Sequence, residues 1–226
     1  MNEDYYTSKL SSNRLQQCYD IAPARVVQYL TAEIEHVLRH IDSIDDVLEL
    51  GCGYGRVLHH LIDSSKSVTG IDTSKESLEL AMSSHQLRTR CHLAQMNAES
   101  LAFHDDSFDK TVCIQNGISA FKIDPILLIT EAVRVTRPGG TCLFSSYSQW
   151  FWNHRLDWFK LQADRGLVGE IDWDKTGNGI IVCRDGFKAT TFSEDDFREI
   201  TSSLGFKAEV VEVDHSSVFC EIAVEK

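Results

Sequence analysis

Val47-Leu48-Glu49-Leu50-Gly51-Cys52-Gly53-Tyr54-Gly55-Arg56 is followed by a second apolar stretch, Val68-Thr69-Gly70-Ile71-Asp72. The first run, Val47, Leu48 and Leu50, enters three alternating glycines and leaves into a helix-like stretch from Arg56 to Ile62. The second ends on a carboxylate. Glycine permits a tight turn with φ > 0 and lets a ligand approach the main chain closely. A carboxylate at the tip of the next strand can accept hydrogen bonds from both hydroxyls of a ribose. The pair predicts a nucleoside-cofactor pocket at the carboxyl ends of two adjacent parallel strands.

Spacing narrows the cofactor. A dinucleotide fingerprint needs its third glycine three residues after the second, where this chain has Arg56; a glycine stands instead two residues on, at Gly55. The form acidic-x-Gly-x-Gly-x-Gly, led by Glu49 and followed by Asp72, resembles the class I S-adenosylmethionine-dependent methyltransferases, in their small-molecule, type 11-like branch. Two other readings stay open: a plain strand-to-helix turn with an incidental Asp, and a nicotinamide-binding fold.

The 226 residues suit one α/β domain able to bury a full core. A hydrophobic share of 42% and a charged share of 25% are those of an ordinary globular chain. The net charge of -12, with no cluster of Lys and Arg, argues against nucleic acid or an anionic membrane as partner. No secretory signal and no membrane-spanning run is apparent, so a cytoplasmic protein is expected. Seven cysteines without a CxxC pair read as reduced, packed thiols. The histidines are expected to hold no metal; His59 and His60 are adjacent, so a helix would point them apart.

Strand and helix signals alternate along the chain. An amphipathic helix follows Pro23, carrying Val26, Val27, Leu30, Ile34, Val37, Leu38 and Ile41 at a 3.6-residue period. Strands are expected at about 46–50, 67–72, 90–95, 109–115 and 141–147, with helices near 54–63, 75–84 and 125–136. Ser193 with Asp196 resembles a capping box, and two final strands, about 206–213 and 217–224, are too close for a helical crossover. The expected fold class is α/β: a Rossmann-like doubly wound sheet of about seven strands, mostly parallel, with a C-terminal antiparallel hairpin. The expected single domain divides into an N-terminal segment and helix (1–44), a cofactor-binding core (45–148), a substrate-lid insertion (149–192) and a C-terminal helix and hairpin (193–226).

The methyltransferase resemblance covers roughly 45–148 and the terminal hairpin, and it implies roles residue by residue. Gly51, Gly53 and Gly55 would bring backbone amides to the cofactor's methionine tail and ribose. Glu49 would order the loop and the tail's ammonium. Asp72 would take the ribose hydroxyls, with Thr73 beside it; the plainer role for Asp72 is a helix cap, which Thr73 or Ser74 could also fill. Asn97 and Ala98 stand where the family often has Asp before a small residue, so Asn97 would accept from the adenine amino group without charge assistance. Gln115 and Asn116 would face the same crevice, Gln115 toward the ammonium and Asn116 toward the acceptor.

The acceptor is less defined. Asn116-Gly117-Ile118 departs from the Asn/Asp-Pro-Pro-Tyr motif that holds planar amino groups, which lowers nucleic acid and protein amides and leaves a small molecule. In this fold the N-terminal segment and the one after strand five overhang the methyl group, so Tyr5, Tyr6, Trp150 and Trp152 are candidate lid residues. Tyr147 and His154 are candidate proton acceptors, His154 the better matched to neutral pH. The competing reading packs Phe151, Arg155 and Trp158, at helical spacing, on the sheet. A hairpin within 165–190 would add to the cover. Some metalloid methyltransferases use thiolates, and Cys18 and Cys183 lie outside the strands. The activity implied is S-adenosylmethionine-dependent methyl transfer to a small molecule by in-line displacement. A nicotinamide-dependent oxidoreductase and a non-catalytic adenosylmethionine-binding module are the alternatives.

Overall fold

Successive residues of the central strands are apolar in both phases, a pattern that buries both faces of a sheet. The computed structural model describes residues 5–226, apart from the side chains of Tyr6 and Thr7, and contains that sheet. Its strands are β1 (Asp46–Leu50), β2 (Ser67–Asp72), β3 (Cys91–Gln95), β4 (Phe108–Cys113) and β5 (Thr136–Tyr147). A small separate hairpin, β6 (Ile181–Val182) and β7 (Lys188–Ala189), precedes β8 (Lys207–Val213) and β9 (Ser217–Ala223). The seven-stranded order is β3-β2-β1-β4-β5-β9-β8. The first five strands pair in parallel, and β9 runs antiparallel between β5 and β8. The mostly parallel sheet with an antiparallel terminal hairpin is therefore as expected.

Ten α-helices accompany it among the described residues: α1 (Tyr5–Ser8), α2 (Ser12–Asp20), α3 (Ala24–Leu38), α4 (Leu58–Leu61), α5 (Lys75–Ser83), α6 (His85–Arg90), α7 (Gly117–Ala120), α8 (Pro125–Val135), α9 (Trp152–Asp164) and α10 (Glu194–Ser203). Alternation assigns the layers. Val47, Val112, Leu143 and Phe219 pack with Ile34 and Val37 of α3 and with Leu58, Leu78 and Leu87. Leu48, Cys113, Phe144 and Ile222 pack on the other face with Leu128 and Ile129 of α8 and Phe197 of α10. Each such side chain, fully buried, contributes roughly 1.5–3 kcal/mol. Ser74 caps α5, Asp124 caps α8, and Ser193 with Asp196 forms the expected capping box on α10.

Three boundaries depart from the expectation. The helix placed at 54–63 shrinks to Leu58–Leu61, because the glycine loop keeps the chain in turns through Val57. A short helix, α6, occupies 85–90, ahead of β3. Strand five, expected from about 141, begins at Thr136, and Arg137–Gly140 is an excursion within it, where the pairing jumps from Phe108↔Thr136 to Lys110↔Thr141.

The N-terminal helices and the segment after β5 form one further layer. Leu10 and Cys18 share a core with Phe159, Val168, Ile181 and Phe187, over the carboxyl ends of the strands. Among the described residues no helix is long and apolar enough to cross a membrane.

Candidate active site

Connections leave β1 toward β2 and β3 on one side, and β4 and β5 extend the sheet on the other. The crevice outside the carboxyl ends of β1 and β4 is thus the switch point at which open α/β sheets bind ligands. A cavity of about 270 Å³ lies there. It is lined by Glu49, Gly51, Gly53, Asp72, Thr73, Asn97, Ala98, Gln115, Asn116 and Tyr147 of the expected set. Gly55 turns the loop from behind: its φ is +88°, and a Cβ there would meet Leu87 Cδ1 at 2.3 Å.

The loop is tied to the second strand by its carboxylate. Asp72 Oδ2 accepts from the Gly53 amide at 2.9 Å, and Oδ1 accepts from Ser74 N at 2.8 Å. Ser74, not Asp72, caps α5, accepting from Ser77 N. Each carboxylate oxygen can accept more than one bond, and Asp72 lines the cavity. Gly53 has φ +53°, and a Cβ there would stand 3.4 Å from Leu15 of α2, so this helix closes over the loop. Asn97 accepts from the Glu99 amide at 3.0 Å and donates to the Glu99 carboxylate at 2.8 Å, which closes its own turn.

Among the described residues, three buried polar atoms on the cavity wall have no hydrogen-bond partner: Glu49 Oε2, Arg56 Nη2 and Gln115 Nε2. Burial pushes the Glu49 carboxyl up to about 8, against the pull of the Arg56 guanidinium, and Asp72 raises it further. Behind the wall, Glu33 on α3 accepts from the Gln115 amide at 2.8 Å. Burial raises it to about 7, opposed by hydrogen bonds from serine hydroxyls and that amide. Gln115 and Asn116 hold left-handed φ values of 58° and 62°, which sharply turns the chain at the end of β4.

The cover residues differ from those expected. Tyr19, Trp158, Phe159 and Gln162 line the cavity, with the Arg56 guanidinium 4.7 Å from the centre of the Tyr19 ring. Trp158 Nε1 donates to Cys18 O at 2.9 Å, locking α9 to α2. Trp150, 66% exposed, and His154, also exposed, lie outside the cavity lining. Trp152 packs into the cover, and Tyr5 is buried there, donating to Asp185. Neither lines the cavity, and the Tyr6 side chain lies outside the described residues. The reason is helical phase: 151, 155, 158, 159 and 162 share the inward face of the segment, which turns 150 and 154 outward. Tyr147 lines the cavity, but burial drives its hydroxyl far above the ordinary tyrosine range, opposed by Arg155, so it is a donor at neutral pH. Cys18 and Cys183 are buried and each pushed up to about 12, chiefly by burial; they are neutral packed thiols rather than thiolate ligands.

Arg56, Tyr19, Trp158, Phe159 and Gln162 line the cavity without having been assigned to it from the sequence. Arg56 was visible directly after the last glycine. The others carry only the helical period as a signal.

Residues 47–140 match the model of a methyltransferase domain. A SAM-dependent methyltransferase from Methanosarcina mazei superimposes with a TM-score of 0.62 at 25% identity, covering 84% of this chain and 97% of that one. The chain has the class I S-adenosylmethionine-dependent methyltransferase fold. Malonyl-[acyl-carrier protein] O-methyltransferase of Erwinia billingiae is 38% identical over 102 residues, 45% of this chain and 39% of that protein. Ubiquinone biosynthesis O-methyltransferase of Alkalilimnicola ehrlichii is 31% identical over 136 residues, 58% of this chain and 51% of that protein. The chain thus spans about half the length, or less, of these curated relatives. The cofactor of this methyltransferase fold is S-adenosylmethionine, and the cavity fits it: the orphaned carboxylate oxygen complements an ammonium, and the orphaned guanidinium and amide nitrogens complement a carboxylate.

Proposed function

We propose that the protein transfers the methyl group of S-adenosylmethionine to a small-molecule acceptor by in-line displacement. The observation that carries this reading is the cavity at the switch point, where the Gly51–Gly55 loop, Asp72 and the three orphaned atoms of Glu49, Arg56 and Gln115 converge.

In this reading Asp72 holds the ribose, Asn97 and Ala98 the adenine edge, Glu49 the ammonium and Arg56 the carboxylate of the methionine tail. The bound cofactor supplies a methyl carbon already activated by its sulfonium. The chain's own task is positioning and exclusion of water. Residues 149–192 with α2 serve as the substrate cover: Tyr19, Trp158 and Phe159 give it an apolar, aromatic wall, while Asn116 and Gln162 bring amides. Asn116 is held for that by Ser146, which donates to its Oδ1 at 2.7 Å, and by Thr190 O, which accepts from its Nδ2 at 2.9 Å. This wall favours a compact, partly aromatic or apolar acceptor whose nucleophile needs no strong base, since Tyr147 keeps its proton. A cytoplasmic setting is part of the reading, supported by seven cysteines that are all free thiols.

Calorimetry with adenosylmethionine, adenosylhomocysteine and NAD tests the cofactor. A panel of phenols, carboxylates, amines and thiols, followed by adenosylhomocysteine release, tests the transfer. Tight binding of NAD alone would overturn the cofactor reading. Binding of adenosylmethionine without turnover on any acceptor class would leave a binding module and refute the enzyme.

A further inference from the structure

Away from the cofactor crevice, α3 and the terminal hairpin bring two histidines and a glutamate together. His36 and His40 stand four residues apart on α3, on one helix face, with ring centroids 5.0 Å apart. Glu221 of β9 meets both: Oε1 lies 2.7 Å from His36 Nε2, and Oε2 lies 3.5 Å from His40 Nε2. One ligand atom from each of the three lies within 4.8 Å of the others. The His36 ring is held against Phe219, 4.3 Å between centroids.

Glu209 of β8 is the register partner of Glu221, so two carboxylates stand directly opposite on one sheet face. Like charges so placed destabilise a strand pair. Both line an open hollow with His36, Arg39 and His40, and Glu212 and Asp214 belong to the same rim, so four carboxylates face one permanent cation. A cation in that hollow would relieve the repulsion.

We propose that His36, His40 and Glu221 form a binding site for a divalent transition metal of the Zn²⁺ class, clamping α3 to the terminal hairpin. Two imidazoles and a carboxylate suit Zn²⁺, Co²⁺ or Ni²⁺ rather than Mg²⁺ or Ca²⁺, which take oxygen ligands. Tetrahedral ligation at ordinary Zn–N and Zn–O lengths separates ligand atoms by about 3.3 Å. The short His36–Glu221 pair opens by roughly half an ångström to reach this, and small side-chain rotations suffice. Glu209 or water completes the coordination. Arg39 is the competing group: its Nη2 donates to His36 Nδ1 at 2.9 Å, which leaves the ring proton on Nε2. Metal at Nε2 moves that proton to Nδ1, and the exposed Arg39 side chain turns to solvent.

The test is titration of the purified, chelator-treated full chain with Zn²⁺, and with Co²⁺ for its visible absorption. One equivalent is expected to bind with a rise in melting midpoint, and Mg²⁺ in excess should not compete. His40→Ala and Glu221→Gln should each weaken binding by about tenfold or more, the scale on which even outer partners of a metal matter. Arg39→Gln should strengthen it, and His59→Ala/His60→Ala should leave it unchanged. Because His40 is half-exposed, His40→Ala reports on the metal even if Glu221→Gln unfolds the hairpin. Absence of saturable binding, or binding indifferent to His40→Ala, would overturn the proposal.

Discussion

Replacing Glu49 by Gln should remove a large part of the stability loss that the protein undergoes in alkali. The carboxyl is 4% exposed, its Oε2 has no hydrogen-bond partner among the described residues, and burial raises it from 4.5 to about 8. Because the folded protein favours the acid form, the stability this group contributes is fully present below about pH 4.5 and is lost as the pH rises through about 8. Between pH 5 and pH 9 the loss amounts to roughly 4 kcal/mol. Gln keeps the shape of the neutral acid and cannot ionise, so the variant escapes this loss. For a chain of this length 1 kcal/mol corresponds to about 2–4 °C. The melting midpoint of Glu49→Gln should therefore gain roughly 8–16 °C on the wild type between pH 5 and pH 9. Other titrations, including that of Glu33 near 7, act on both proteins and cancel in the difference. Scanning calorimetry of the two ligand-free proteins at pH 5, 7 and 9 measures it. At pH 9, where the wild-type carboxyl is ionised, the same variant should bind adenosylmethionine about 2 kcal/mol more weakly, having lost a charged partner for the ammonium. Parallel melting curves across the range would refute the buried, high-lying carboxyl.

Four further outcomes follow from the same geometry. Asp72→Ala should cost about 2–3 kcal/mol in adenosylmethionine binding by calorimetry, as bonds to a charged acceptor are lost, while circular dichroism stays native; unchanged affinity would remove Asp72 from the ribose. Arg56→Ala should weaken cofactor binding by about 1.5–3 kcal/mol, whereas Arg56→Lys should restore only part, because a point charge cannot reproduce the guanidinium fork. Gly55→Ala should lower stability by about 1–3 kcal/mol in denaturant melts, since φ is +88° and the new Cβ would strike Leu87. Trp158→Ala should reduce acceptor turnover and cost about 3–5 kcal/mol of stability as a buried ring is lost, while Trp150→Ala, at an exposed position, should change both by no more than about 0.5 kcal/mol.

Local signals made the cofactor half of this protein legible in one dimension. The Glu49–Gly55 loop and Asp72 lie on a strand-loop-helix unit whose geometry follows from glycine's freedom and a parallel crossover, and two apolar phases in each strand demanded helices on both faces. The capping box at Ser193 and the three-residue gap at 214–216 declared the terminal helix and hairpin in the same local way. The cover was not legible, because its residues act through contacts distant in sequence: Trp158 reaches the Cys18 carbonyl, and Tyr19 lies over Arg56. Rich aromatic content drew attention to Trp150, Trp152 and His154, but helical phase turned the inward face to Trp158, Phe159 and Gln162. Charge state was likewise a tertiary matter. Glu33 and Glu49 read as ordinary acids, and only desolvation within the folded protein raises them toward neutrality. The sequence alone determined that this loop and this carboxylate come together at the strand ends, since neighbouring strands of one crossover form that contact. Which side chains close over it, and which of them carry charge, depended on packing between segments more than a hundred residues apart.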